Sequence, residues 1–497
     1  MKTRLATLCA TASAAALLLA ACSSSTSSDS SSNADGTTAA TAAASVSAAA
    51  VSDVCAATPT PGGTLTAARQ NETLSLSPYV TPGGWGDGSA QALIYRGLVQ
   101  LDPTGETKEV VPAISDTWTV TPDGLSYTFH IRDGAKFSNG DLITAADVKA
   151  SLDRWADPDI DTFAAFSTGY KSSTVVDDQN IQIDLSEATG AFLDELAFLP
   201  AVVLPEKLVK EQGDAFYENP VGAGPYKLDT WTKGSSISFV KNDNYWEPEQ
   251  PLLDGVVYNF VTDDNARLLQ LQSGPAQMID FLPFAQATSM QSTDGIAVDP
   301  AEIPSWILLS LNNQKKPLAD LKVRQALSYA IDRDAINEKI YAGLGKTPNS
   351  VLPHLALDGT DADVPPVTFD LEKAKQLMAE SAYPTGFDAT LEFPSGSTAF
   401  QSLAAVLQAE WAELGVNLTL APEDQATLSK NFSGGTYDIA LPYATAASDL
   451  IVPDEFGTFY AIPGSTNGFF TWWEDAEIAK MMTEFIHTTD AASRAEQ

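Results

Sequence analysis

Residues Leu125–Trp155 read LSYTFHIRDGAKFSNGDLITAADVKASLDRW, and the parts of this stretch constrain one another. Tyr127, Phe129 and Ile131 alternate with Thr128, His130 and Arg132, the period of a strand with one buried face. Asp133-Gly134 interrupts the run, and Asn139-Gly140 supplies a second tight turn where positive φ is tolerated. Thr144 followed three residues later by Asp147 has the spacing of a capping box at a helix start. Behind it, Val148, Leu152 and Trp155 share one helical face. Strand, double turn and capped helix are expected to pack as one module.

Two further blocks are as informative. In Val221–Trp246, VGAGPYKLDTWTKGSSISFVKNDNYW, the residues Gly222, Gly224 and Pro225 form a stiff turn and Ser236–Lys241 alternates as a strand. Pro225 removes a backbone donor and no third glycine follows, so this is not a phosphate loop. In Pro317–Gly345, PLADLKVRQALSYAIDRDAINEKIYAGLG, Val323, Ala326, Leu327, Ala330 and Ile331 stripe a long helix. Ile336 and Ile340 continue a second stripe, and Gly343 is its expected stop.

These blocks resemble the family 5 extracytoplasmic solute-binding proteins, the oligopeptide-, dipeptide- and nickel-binding receptors of ABC importers. That family shows F-x-x-G-x-x-x-T-A-x-D-V, matched here by Phe137, Gly140, Thr144, Ala145, Asp147 and Val148. Its G-x-G-P-Y turn and N-x-x-Y-W strand end are matched by Gly222, Gly224, Pro225, Tyr226, Asn242, Tyr245 and Trp246. Its V-R-Q-A-L-x-x-A-x-D-R helix is matched by Val323, Arg324, Gln325, Ala326, Leu327, Ala330, Asp332 and Arg333. The resemblance covers about residues 62–497. It implies an α/β fold of the two-lobed periplasmic-binding-protein type II (Venus flytrap, cluster C), with an extra domain and a hinge between the lobes.

The same resemblance implies a division of the chain. Lobe I takes residues 62–98 and 204–300, an extra domain II takes 99–203, and lobe III takes 301–486. Residues 487–497 begin a return to lobe I that stops inside the expected last helix, as in a truncated sequence. Helical spacing over Phe400–Leu414 followed by alternation at Val416, Leu418 and Leu420 agrees with a mostly parallel α/β lobe there.

The N-terminus predicts where the chain works. Lys2 and Arg4 precede a short apolar run to Leu19, then Ala20-Ala21-Cys22, an export signal too short to span a membrane. Leu19-Ala20-Ala21-Cys22 resembles a bacterial lipobox, so residues 1–21 are expected to be removed and Cys22 to carry a membrane lipid anchor. Residues 22–61 are mostly Ser, Ala and Thr and are expected to form a flexible tether. Cys9 lies in the signal and Cys55 in the tether, so the mature body has no disulfide and no Cys/His metal spacing. A formal charge of −36 repels nucleic acid and suits an exported protein kept apart by self-repulsion.

Chemistry is sparse. His130, His354 and His487 form no helical pair, and His130 falls on the strand face opposite Tyr127 and Phe129. No nucleophile elbow exists, and Gly396-Ser397 lacks its flanks. No catalytic residue, no metal site and no cofactor is assigned. In peptide-binding members of the family, an aspartate in the loop after the Y-D strand receives the peptide ammonium group. Asp449, in ATAASDLIVPDEF, falls at the matching place, although Val452 stands where the family has aspartate before its proline. Trp85, Trp306, Tyr443 and Trp472 are the aromatic candidates for lining a cleft. Trp85 is placed in a Gly-rich loop, Thr81–Gly88.

The expected protein is a monomeric lipid-anchored receptor outside the cytoplasm. It would capture a small solute, first of all an oligopeptide, and deliver it to ABC permease and ATPase subunits, with no nucleic acid partner. A lipid-anchored cell-wall hydrolase or transferase is the competing class, and a sensory receptor on the same fold is a third.

Overall fold

The computed structural model describes residues 59–81, 84–103, 109–298, 305–347, 364–442, 446–447, 453–456, 460–461 and 470–497. Three main sheets organise them. The lobe I sheet runs Met278–Ile279, Thr64–Arg69, Gly255–Phe260, Ser236–Lys241, Tyr226–Thr232 in spatial order. Its first three strands are parallel and its last two antiparallel. The residues expected to form domain II hold an antiparallel sheet ordered Ser115–Val120, Ser126–Ile131, Asn180–Leu185, Tyr170–Val175. In lobe III the order is Ser310–Leu311, Ile439–Ala440, Asp388–Pro394, Asn417–Glu423, parallel except at the first strand.

The opening module forms as its residues dictate. Strand Ser126–Ile131 buries Tyr127, Phe129 and Ile131 and leaves the alternate residues half-buried. His130 turns away from that core and meets Asp116 through Nδ1 at 2.8 Å. Helix Ala145–Trp155 carries the reciprocal capping box: Thr144 Oγ1 accepts from Asp147 N–H, and Asp147 accepts from Thr144 N–H at 3.0 Å. Val148, Leu152 and Trp155 are buried against Phe129, Ile181 and Ile183.

Two expectations about helices are corrected. The chain Leu321–Ile340 is two helices, Leu321–Tyr329 and Arg333–Ile340, broken at Ala330–Asp332. Asp332 leaves helical geometry to accept from the Ala335 amide, so a residue read as part of a long helix is an N-cap. The Gly-rich stretch around Trp85 is helix Trp85–Ile94, not a loop. Gly86 lies in its first turn because a Cβ there would sit 2.2 Å from the Glu72 carbonyl oxygen.

The motif residues fasten one part of the scaffold to another. A Cβ on Gly222 or Gly224 would stand 2.1 or 2.5 Å from the backbone of Leu93–Ile94, and Gly224 N–H donates to Ile94 O at 2.7 Å. Asn242 Nδ2 donates to Gly224 O at 2.7 Å, closing the turn onto the strand end. Domain II is tied to the same point, since Ser138 N–H donates to Gly222 O at 2.8 Å and Asn244 Nδ2 to Ser138 O at 3.1 Å. In lobe III the buried Trp411 donates through Nε1 to Leu327 O at 3.1 Å, joining helix Thr398–Ala412 to the V-R-Q-A-L helix.

Candidate functional site

In sheets with parallel strands, ligands gather outside the carboxyl ends of those strands, where loops diverge. The three parallel strands of lobe I end at Arg69, Phe260 and Ile279. The parallel strands of lobe III end at Pro394, Glu423 and Ala440. The two carboxyl edges meet. Asp264, shortly after Phe260, donates its N–H to Gly396 O at 3.3 Å, two residues past Pro394. The Asp264 carboxylate also accepts from Thr398 N–H and Oγ1–H at 2.8 and 2.9 Å. A second contact across the seam is edge-to-face, Phe284 of lobe I against Tyr341 of lobe III at 5.1 Å.

The lobe I edge is built from paired charge. Arg69 is buried, donates from Nε to Asp280 at 2.6 Å and from Nη1 to Ser89 at 2.8 Å, and lies over the Tyr258 ring at 4.6 Å. The other Asp280 oxygen takes the Gln70 amide at 2.8 Å. Arg267, fully buried, donates to the carbonyls of Asp280, Val261 and Phe281 at 2.8–3.0 Å and to Asp264 at 2.6 Å. Phe281 has φ +48°, and its carbonyl is held in that left-handed conformation by Arg267. Buried guanidinium groups held by carboxylate, hydroxyl and carbonyl oxygens make a rigid rim.

The sequence candidates distribute around this seam unevenly. Trp85 begins its helix beside the carboxyl end of strand Thr64–Arg69, with the Arg69 guanidinium 5.9 Å from its ring and half of its area exposed. Strand Ser305–Trp306 pairs antiparallel with Ala446–Ala447, so the Trp306 backbone lies beside Ala446 at the root of the segment carrying Asp449. Asp449 and Tyr443 lie outside the described residues, as do Cys22, Cys55 and His354. Trp472, with φ +56°, covers Gly435, where a Cβ would stand 2.4 Å from the ring, and tilts against Tyr437 at 6.5 Å. Trp472 thus packs against a small core of Phe432, Tyr437 and Ala440. His487 reaches Glu187 at 3.5 Å and the Ala188 carbonyl at 3.3 Å. Sequence reasoning missed Arg69, Arg267, Asp264 and Asp280, because no pattern distinguishes three buried charges and a half-buried one among so many exposed ones.

Among the described residues no cluster of three His, Cys, Asp or Glu side chains is placed to hold a metal. A depression of about 410 Å³ lined by Glu109, Val110, Tyr127, Gly190, Phe192, Leu193 and Asp194 lies on domain II, off the seam. Residues 109–467 match the family described as bacterial extracellular solute-binding proteins, family 5.

The chain belongs to that family.

Glutathione-binding protein GsiB of Shigella flexneri serotype 5b is 30% identical to this family 5 protein over 342 residues, 68% of this chain and 66% of the relative. The match thus spans just under two thirds of that relative's length. GsiB of Pectobacterium atrosepticum is 29% identical over 430 residues, covering 84% of this chain and 82% of the relative. Among solved structures, the periplasmic binding protein AgaA of A. tumefaciens R10 in complex with agropinic acid superposes with a TM-score of 0.78 at 29% identity, covering 87% of this chain and 88% of its own. The binding protein DppA of Helicobacter pylori, associated with an ABC transporter and in complex with the peptide STSA, gives 0.79 at 27% identity, covering 88% and 89%. These structures share the two-lobed type II fold with this family 5 protein. By their printed names these relatives are binding proteins for small solutes.

Proposed function

We propose that this chain is the solute-capturing component of an ABC importer, closing its two lobes on a small solute and making or breaking no bond. The observation that carries the reading is the seam: carboxyl edges of two separately cored sheets face each other and, among the described residues, touch at Asp264–Thr398 and Phe284–Tyr341. A ligand bridging such edges favours closure through the contacts it makes with both lobes. The lobe and domain limits are those expected from the resemblance, with 62–98 and 204–300 forming lobe I. A lipid on Cys22 would hold the protein to the outer face of the cell membrane.

Short peptides are the proposed solute. Asp449 is assigned to the peptide ammonium group, with Trp85, Trp306 and Tyr443 as flat surfaces tolerant of different side chains. DppA and GsiB, which by name bind a peptide and glutathione, support an amine-bearing peptide ligand. A charge-assisted hydrogen bond to an ammonium group contributes about 1.5–3 kcal/mol. Asp449→Asn is therefore expected to weaken binding of a free-amine tetrapeptide by about 10- to 100-fold and to spare its N-acetylated form. Equal loss for the two peptides in calorimetric titration would remove Asp449 from the role.

A further inference from the structure

Asp264 belongs to lobe I by chain position, yet one of its carboxylate oxygens serves lobe III. Oδ1 is committed to Arg267 at 2.6 Å, while Oδ2 takes the backbone N–H and the hydroxyl of Thr398 at 2.8 and 2.9 Å. Thr398 is the first residue of helix Thr398–Ala412, the spine of lobe III, whose own N-cap Ser397 serves Phe400 instead. A first-turn donor of one lobe's helix is thus satisfied from the other lobe. The seat of the carboxylate is fixed, because Arg267 is fully buried and donates to carbonyls of both segments that flank it, Val261–Thr262 and Asp280–Phe281.

The backbones also touch here. Gly396 has φ +86°, and a Cβ on it would lie 2.9 Å from Thr262 O. Separating Thr398, which is exposed, would leave the buried Asp264 oxygen without its two donors, whereas the Phe284–Tyr341 ring pair can slide without breaking a hydrogen bond. The two seam contacts therefore respond differently to rotation of one lobe against the other.

We propose that the Asp264–Thr398 contact, backed by Arg267 and closed by Gly396, is the pivot about which the lobes turn, and that it stays made while the rest of the seam opens. Asp264 is a positioning residue in this role and touches no ligand. The inference rests on the two-lobe capture reading, but its test uses the full chain without any ligand, so each can fail alone.

Nitroxides are placed at Asp243 of lobe I and Glu413 of lobe III, both exposed, with Cys9→Ser, Cys22→Ser and Cys55→Ser removing the other thiols. Distances between them are read by pulsed dipolar spectroscopy, and amide exchange of Thr398 is followed in parallel. Asp264→Asn is expected to speed exchange at Thr398 by about tenfold and to broaden the interlobe distance distribution. Thr398→Val keeps the amide bond and removes the hydroxyl, and is expected to broaden the distribution less. This milder variant carries the test if Asp264→Asn does not fold. An interlobe distribution unchanged from the parent in either folded variant, even with a lowered melting temperature, would reduce the contact to local structure and overturn the proposal.

Discussion

Single side chains in this protein carry consequences that their type alone does not suggest. Asp161 is buried, accepts from the Phe163 amide at 2.7 Å through one oxygen and has no partner for the other. Burial raises its pKa from 3.8 to about 7, only partly opposed by that hydrogen bond. The folded chain thus holds a proton that the unfolded chain releases between pH 4 and 7, so this group's contribution to stability falls as pH rises through that window. Asp161→Asn retains an acceptor for Phe163 and removes the charge. Its melting temperature relative to the parent should climb from pH 4 to pH 7 and level off above, the full effect being on the order of a few kcal/mol. A constant offset across that range would show that Asp161 is not the group responsible. At this scale the candidate site was partly legible. Trp85 announced itself as an indole beside glycines and is half exposed. Arg267 did not, because a buried arginine reads in sequence like any helical surface residue until the acceptors around it are known.

Secondary-structure elements were the most legible level, and the exceptions have local causes. Alternation at Ser126–Ile131 and Asn180–Leu185 becomes two paired strands because one face meets a helix whose spacing was equally plain. The break at Ala330–Asp332 escaped notice because the apolar stripe runs through it. Only the Asp332 side chain, caught by Ala335, ends one helix and starts the next. Gly86 misled for a related reason: a glycine in a helix argues for a loop unless another backbone lies against it. The capping box of Ala145–Trp155 gives the direct test at this scale. Asp147 also accepts from Glu206 N–H at 3.0 Å through its second oxygen, so the cap helps hold the later helix Glu206–Gln212. Thr144→Ala is expected to cost about 1 kcal/mol in denaturant unfolding, with the midpoint lowered and the slope unchanged. A loss within experimental error would mean that Asp147 alone sustains the helix start.

For the whole molecule, the family motifs predicted the scaffold and said little about the ligand. Gly222, Gly224 and Asn242 all act where one part of the body is fastened to another, and Leu327 of the V-R-Q-A-L motif takes the Trp411 indole, which is why a resemblance carried by these motifs is so informative about fold. The residues proposed here for ligand choice, among them Asp449 and Tyr443, sit in sequence that follows no period. The central claim is that one small solute is held by both lobes at once. Hydrogen exchange of the chain with and without a saturating free-amine tetrapeptide tests it most directly. The account predicts joint protection at Arg69–Gln70 and Thr262–Asp264 on lobe I and at Ser395–Ser397 on lobe III. Protection confined to one lobe, or centred on the Glu109–Asp194 depression of domain II, would contradict it.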